Sequence, residues 1–174
     1  MTFVVRRATP AEYAAVGELT ARAYLDDGLV PDGSDYDETL RQAADRAAHS
    51  ELLVAVDAPD GDPGRLLGTV SYVRAGSLYA EVSREGEAEF RMLAVDRTAR
   101  GRGVGRALAR ACIDRARAEG VSAVVISTAT TMAPAHALYD SLGFVRLPER
   151  DWRPIPSVLL LAYRLDLTPG PTAP

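Results

Sequence analysis

The chain has 174 residues, 47% of them hydrophobic and 25% charged, with a formal net charge of −4. That make-up suits a soluble domain with a core of its own and argues against a nucleic-acid binder, which would carry a basic surplus. A single cysteine, Cys112, and two histidines, His49 and His136, allow no intramolecular disulfide and leave too few soft ligands for a metal centre.

No apolar run approaches the length of a membrane span, and Met1-Thr2-Phe3-Val4 enters a strand and not a signal segment, so no membrane partner and a cytoplasmic location are expected. The first strand is read at Phe3–Arg7. Thr9-Pro10-Ala11-Glu12 is a capping-box start with proline at the first helical position. The helix it opens runs to about residue 24, with Tyr13, Val16, Leu19 and Tyr24 near one face. An acidic, turn-rich loop follows from Asp26 to Ser34, then a second helix over Asp35–His49 carrying Tyr36 and Leu40 on its apolar side. Glu51–Asp57 and Leu66–Val73 read as strands joined by a turn cluster at 58–64. The polar linker Arg74–Glu87 is long for a hairpin and suits either a lid or a dimer contact.

Ala88–Val95 reads as the central strand. It leads through Gly101, Gly103 and Gly105 into a helix whose apolar stripe is Val104, Leu108, Ala111 and Cys112. On that stripe Cys112 is a small core residue. Ala123–Thr128 lacks alternation, as a strand covered on both faces does, so residues 88–128 form a strand–helix–strand crossover with parallel strands. A short helix and the strands Phe144–Leu147 and Val158–Leu165 complete the fold, with Pro148–Pro156 as connector. One domain is expected over 1–167, followed by a disordered tail at 168–174.

The chemistry concentrates in the glycine turn. Glycines between a strand and a helix let backbone amides approach a ligand with no Cβ in the way, and the first turn of the helix favours an anion. Arg100, Arg102 and Arg106 add positive charge there, so the stretch reads as a pyrophosphate-binding turn. The chain contains no lysine, which excludes a Walker loop. The spacing also misses the dinucleotide pattern G-x-G-x-x-G. What stands is Arg100-Gly101-Arg102-Gly103-Val104-Gly105, an R-x-x-G-x-G turn. About twenty residues beyond the following helix comes Tyr139-Asp140-Ser141-Leu142-Gly143-Phe144, a Y-x-x-x-G-F segment.

The two motifs in this order resemble those of the GCN5-related N-acetyltransferases (the GNAT family). The resemblance implies an α/β fold: a mixed six- to seven-stranded sheet, helices on both faces and a splayed central pair of parallel strands. It implies acetyl-CoA as acyl donor, no metal, and direct transfer to a primary amine of a small molecule or peptide. A cytoplasmic bacterial enzyme, and a homodimer as is common among relatives, fit the same resemblance. The rival is a non-catalytic acyl-CoA binder that keeps the turn but not turnover.

Site residues follow from the resemblance. The backbone of Leu93, Ala94 and Val95 would pair with the pantetheine arm, and the amides of Gly101 to Arg106 would hold the pyrophosphate. Glu89 stands where some members carry a general base. A lysine-like ammonium of pKa about 10.4 costs on the order of 4–5 kcal/mol to deprotonate at pH 7, so a proton acceptor is needed. The alternative is that Glu89 merely pairs with an arginine such as Arg91. Tyr139 matches the phenol that protonates or hydrogen-bonds the leaving thiolate, against a plain packing role. Asp26, Asp27, Asp32, Asp35 and Asp37 are candidates to attract a cationic amine, or are simply solvated loop carboxylates. Where many relatives carry an asparagine, this chain has Met132. His136 reads as a surface or packing residue, and Trp152 either lines the cleft or covers a sheet edge or dimer contact.

Overall fold

The computed structural model describes residues 3–30, 33–57 and 64–167. Asp32, most of the 58–64 turn cluster and the 168–174 tail lie outside the described residues. The chain divides into two compact units, one of residues 1–72 and 92–112, the other of 73–91 and 113–174.

The first unit opens with β1 (Val4–Arg7), which pairs antiparallel with β2 (Glu51–Asp57); β2 pairs antiparallel with β3 (Arg65–Arg74), with a register shift between Ala55 and Val56. Between β1 and β2 come a 3-10 turn at Pro10–Glu12 and α1 (Tyr13–Asp26). The predicted capping contact is present: the Thr9 amide donates to Glu12 Oε2 at 2.7 Å, and Arg6 forks onto both oxygens of the same carboxylate. Val16 of α1 packs in a buried cluster with Ala43 and with Leu52, Val54 and Val56 of β2.

The helix expected over 35–49 is two helices, α2 (Asp35–Arg41) and α3 (Ala43–His49), broken at Gln42 with φ −80° and ψ 60°. The cause is Arg46. Its fully buried guanidinium donates to the carbonyls of Thr39 and Leu40, which a continuous helix would have used internally, and to Thr20 Oγ1 at 3.1 Å. The α1–α2 packing is also close. A Cβ on Gly17 would lie 2.9 Å from the carbonyl carbon of Arg41, so only glycine fits.

The second unit is built on the first five residues of β4 (Glu87–Val95). They pair parallel with β5 (Ala123–Ala129) over Glu87–Glu89 and Ala123–Val125, as the crossover pattern predicts. β5 pairs antiparallel with β8 (Val158–Asp166), whose other edge carries β6 (Val145–Arg146) and β7 (Trp152–Ile155). The first unit orders its strands β1-β2-β3 and also holds the last residues of β4; the second orders its strands β4-β5-β8-β6, with β7 on β8.

Among the described residues, eight strands stand where six to seven were expected. The addition is β7, hidden in the proline-rich 148–156 connector. Pro154 is tolerated because β7 pairs on one side only, through a tight turn at 156–157. Two helices complete the chain: α4 (Val104–Glu119), which follows β4, and α5 (Ala133–Ser141), which follows β5.

Candidate active site

The glycine turn lies in the first unit. β4 ends at Val95, and the Asp96 amide is fixed to Leu67 O at 2.8 Å. A 3-10 turn over Arg97–Ala99 follows, its first donor capped by Asp96 Oδ1 on the Thr98 amide. Gly101 and Gly103 then take φ of +77° and +80° and are exposed, with no atom within 4 Å of where a Cβ would stand. Gly105 is absent from the left-handed residues and sits inside α4.

The first helical bond of α4 runs from Ala107 N to Gly103 O at 3.0 Å. The amides of Val104 and Gly105 precede it and have no acceptor inside the helix. Val104 and Leu108 are buried, which anchors that end of α4.

Two arginines flank the turn differently. Arg100 is bidentate on Asp27 at 2.9 and 3.1 Å. Arg102 faces Asp57 at 3.6 Å, and its buried Nη2 makes no hydrogen bond among the described residues. A guanidinium nitrogen that makes no hydrogen bond, in the same stretch of chain as the first-turn amides of α4, suits a bound phosphate. The residues present therefore fit the pyrophosphate of a coenzyme A donor.

The candidate acid and base lie in the second unit. Glu89 is fully buried in β4. Its Oε2 accepts the backbone amides of Glu81, Val82 and Ser83 at 3.0–3.1 Å and the Ser83 hydroxyl at 3.1 Å. The linker over 74–87 thus wraps one oxygen of Glu89. The other oxygen, Oε1, is buried and unpartnered among the described residues.

Arg91 Nε stands 3.9 Å from Oε1, outside hydrogen-bond reach, while Nη1 donates to Tyr79 O at 2.8 Å and Nη2 meets Glu81 at 2.7 Å. Burial pushes the Glu81 carboxyl above its ordinary value; Arg91 opposes this and Glu89 reinforces it. Just beyond Arg91, Met92 holds φ +52°, a left-handed conformation costing about 1–2 kcal/mol for a side-chain-bearing residue. It lies between Glu89 and the Leu93–Val95 stretch.

Tyr139 is buried in the last turn of α5, in ring contact with Phe90, Phe144 and Tyr163 at 6.0, 5.8 and 6.2 Å. The Y-x-x-x-G-F segment has a local explanation. Phe144 N donates to Tyr139 O and Gly143 N to Asp140 O, both at 3.0 Å, with Gly143 at φ +89°. This pair of bonds is a Schellman cap, and the contact between Phe144 and Tyr139 is the hydrophobic clasp that accompanies it. The same cap fixes the Tyr139 ring against Phe90.

The other candidates separate. Asp26 and Asp35 are exposed, Asp27 is held by Arg100, and Asp37 is buried against Arg41. Met132 lies at the N-terminal end of α5. His136 bonds the Ala129 carbonyl at 3.0 Å and packs on Tyr163, as a packing residue does. Cys112 is fully buried, and burial pushes its thiol far up. Trp152 stands on the edge strand β7 with its Nε1 3.4 Å from Ser127 Oγ. Glu81 went unnoticed in the sequence, where nothing distinguishes it from other carboxylates of a polar linker.

A model of the acetyltransferase (GNAT) family matches residues 15–144. The human N-acetylaspartate synthetase is 32% identical over 145 residues, 83% of this chain and 43% of that protein. The chain spans less than half the length of the curated relatives it matches. Among solved structures, a GCN5-related N-acetyltransferase from Kribbella flavida is 28% identical, with a TM-score of 0.67 over 95% of this chain and 98% of that one. The structure of yncA from Salmonella typhimurium, which holds its cofactor acetyl-CoA, shares the fold at 24% identity and a TM-score of 0.67, covering 100% and 98%.

Proposed function

Since the chain belongs to the acetyltransferase (GNAT) family, we propose that it transfers an acetyl group from acetyl-CoA directly to a primary amine of a small molecule or peptide. The observation that carries this reading is the glycine turn, left-handed at Gly101 and Gly103 on either side of Arg102 and followed by the first-turn amides of α4. The amides of Gly101 to Arg106 hold the pyrophosphate, and each charge-assisted bond contributes about 1.5–3 kcal/mol. Backbone groups of Leu93, Ala94 and Val95 pair with the pantetheine arm as an added strand, and an N–H among them polarises the thioester carbonyl. When bound, the donor supplies an acetyl thioester, already activated toward amines.

The remaining steps are proton transfers. Glu89 Oε1, buried and free of hydrogen bonds among the described residues while the other oxygen is saturated, accepts the proton of the ammonium through a water. Tyr139 gives a proton to the leaving thiolate. Neither step requires a covalent enzyme intermediate.

Thiol release from acetyl-CoA across a panel of amines tests the reading. Aspartate belongs in the panel because the matched relatives carry that acceptor in their name, together with polyamines, lysine peptides and peptide N-termini. Tyr139→Phe keeps the ring and removes one oxygen. Turnover should fall about 10²–10⁴-fold with the acetyl-CoA dissociation constant unchanged. Full turnover in that variant removes Tyr139 as the acid.

A further inference from the structure

Glu89 and Arg91 lie two residues apart on β4, so their side chains leave the same face of the strand. Both are largely withdrawn from solvent, Glu89 at 0% and Arg91 at 12% side-chain exposure. A buried carboxylate beside a guanidinium ordinarily closes into a hydrogen-bonded pair, because each charge otherwise goes uncompensated. Here the pair stays open at 3.9 Å. The guanidinium is held at its far end instead, Nη2 by Glu81 at 2.7 Å and Nη1 by the Tyr79 carbonyl at 2.8 Å. Both holding groups belong to the segment that wraps Oε2 of Glu89 with three amides.

We propose that Glu81 is a positioning residue which, by drawing the Arg91 guanidinium to itself, keeps Glu89 Oε1 open as the proton acceptor of the transfer. This rests on Glu89 acting as the base proposed above. The proton leaves the acceptor ammonium for Oε1 and the nitrogen keeps the electron pair. The neutral amine then attacks the thioester carbonyl, and the C–S bond breaks as the thiolate takes the Tyr139 proton. The attacking nitrogen's second proton restores the phenol, and the carboxylic acid returns its proton to solvent. A guanidinium hydrogen-bonded to Oε1 would occupy that site and favour the charged carboxylate, weakening it as a base.

Among the described residues, the 81–83 segment presents the Glu81 carboxylate and takes Arg150 on the Val82 carbonyl at 3.1 Å. Arg91 and Glu87 flank Glu89 along the strand, and Glu87 is taken up by Arg150 and Arg164. The residue paired with Glu89 on β5 is Val125, which is apolar.

Glu81→Gln tests the proposal, since it keeps shape and removes charge; its melting temperature reports that the fold is kept. A crystal structure of the variant should show Arg91 moved to about 3 Å or less from Glu89 Oε1. With the fastest amine of the panel, kcat/KM should fall about tenfold or more near neutral pH. Acetyl-CoA binding, read by calorimetry, should stay within about twofold. Glu81→Gln/Arg91→Gln should return to within about threefold of Arg91→Gln alone, because the second change removes the intruding cation.

Arg91 still 3.9 Å away in the variant overturns the proposal, as does full activity or simple multiplication of the two single losses. Glu89→Gln separates the two levels. If it retains full turnover, the base assignment fails. If it loses turnover while Glu81→Gln does not, only the positioning role fails.

Discussion

Gly68→Ala tests how tightly the cofactor corner is built. Gly68 lies on β3 opposite Ala55, beside the register shift. A Cβ there would stand 2.8 Å from Ala94 O, 3.0 Å from Val104 Cγ1 and 3.1 Å from Leu108 Cδ1, where ordinary contact begins near 3.4 Å. The worst overlap, about 0.6 Å, is with a backbone oxygen, which has no rotamer to retreat into. Val104 and Leu108 are themselves buried. Overpacking of this kind costs about 1–3 kcal/mol, offset by about 0.5–1 kcal/mol because alanine suits a strand better than glycine. The net destabilisation is about 1–2 kcal/mol, a fall in Tm of about 2–8 °C for a chain of this length. Relief of the overlap has to move Ala94 or the start of α4, so acetyl-CoA affinity should fall as well, read by calorimetry on the folded variant. A variant melting at or above the parent would refute the packing argument. A loss of stability with coenzyme affinity intact would show that this corner does not hold the coenzyme.

Two further predictions concern charge. The Arg6 fork, followed by the Thr9 hydrogen bonds, holds the Glu12 carboxyl at about 2 against an ordinary 4.5. A carboxyl lowered on folding adds stability that is fully present above pH 4.5 and is lost as pH falls toward 2. Arg6 is a third exposed, so screening leaves about 1 kcal/mol. Glu12→Gln should therefore lose about that much at pH 7 in urea titrations, with the gap to the parent closing between pH 4.5 and 2; a gap constant down to pH 2 would refute the linkage. Glu87 is buried at 7% exposure, takes the Arg84 amide at 2.9 Å and pairs with Arg150 and Arg164. Glu87→Gln takes the carboxylate from Arg150, while Arg164 keeps Asp166 at 2.7 Å, and should cost about 3 kcal/mol by thermal melting, whereas a loss under 1 kcal/mol would mean that solvent reaches the cluster.

What the sequence made legible was local. The turn around Gly101 and Gly103, the α4 stripe and the crossover strands follow from spacing and from backbone freedom that only glycine supplies. The capping contact of Thr9 and Glu12 is equally local. What escaped depends on partners far along the chain. The break at Gln42 is set by Arg46 capturing the carbonyls of Thr39 and Leu40 while leaning on Thr20, 26 positions away. β7 was obscured by prolines that an edge strand tolerates. The 74–87 linker, read as a lid or a dimer contact, carries three amides that converge on Glu89. Nothing in its composition marks that convergence. Glu89 itself drew attention only through resemblance; that one oxygen is wrapped and the other open is a tertiary fact.

The Schellman cap at Gly143 bears on how this chain's second motif should be valued. Tyr139, Gly143 and Phe144 end a helix and clasp its terminus, and a phenylalanine at 139 would serve those ends as well as the tyrosine does. Natural selection for a folded domain would preserve the segment with or without turnover. With Tyr139 in its proposed role as the acid, a descendant could lose most of its acyl transfer by shedding one oxygen atom while keeping its helix stop, its aromatic cluster and its glycine turn.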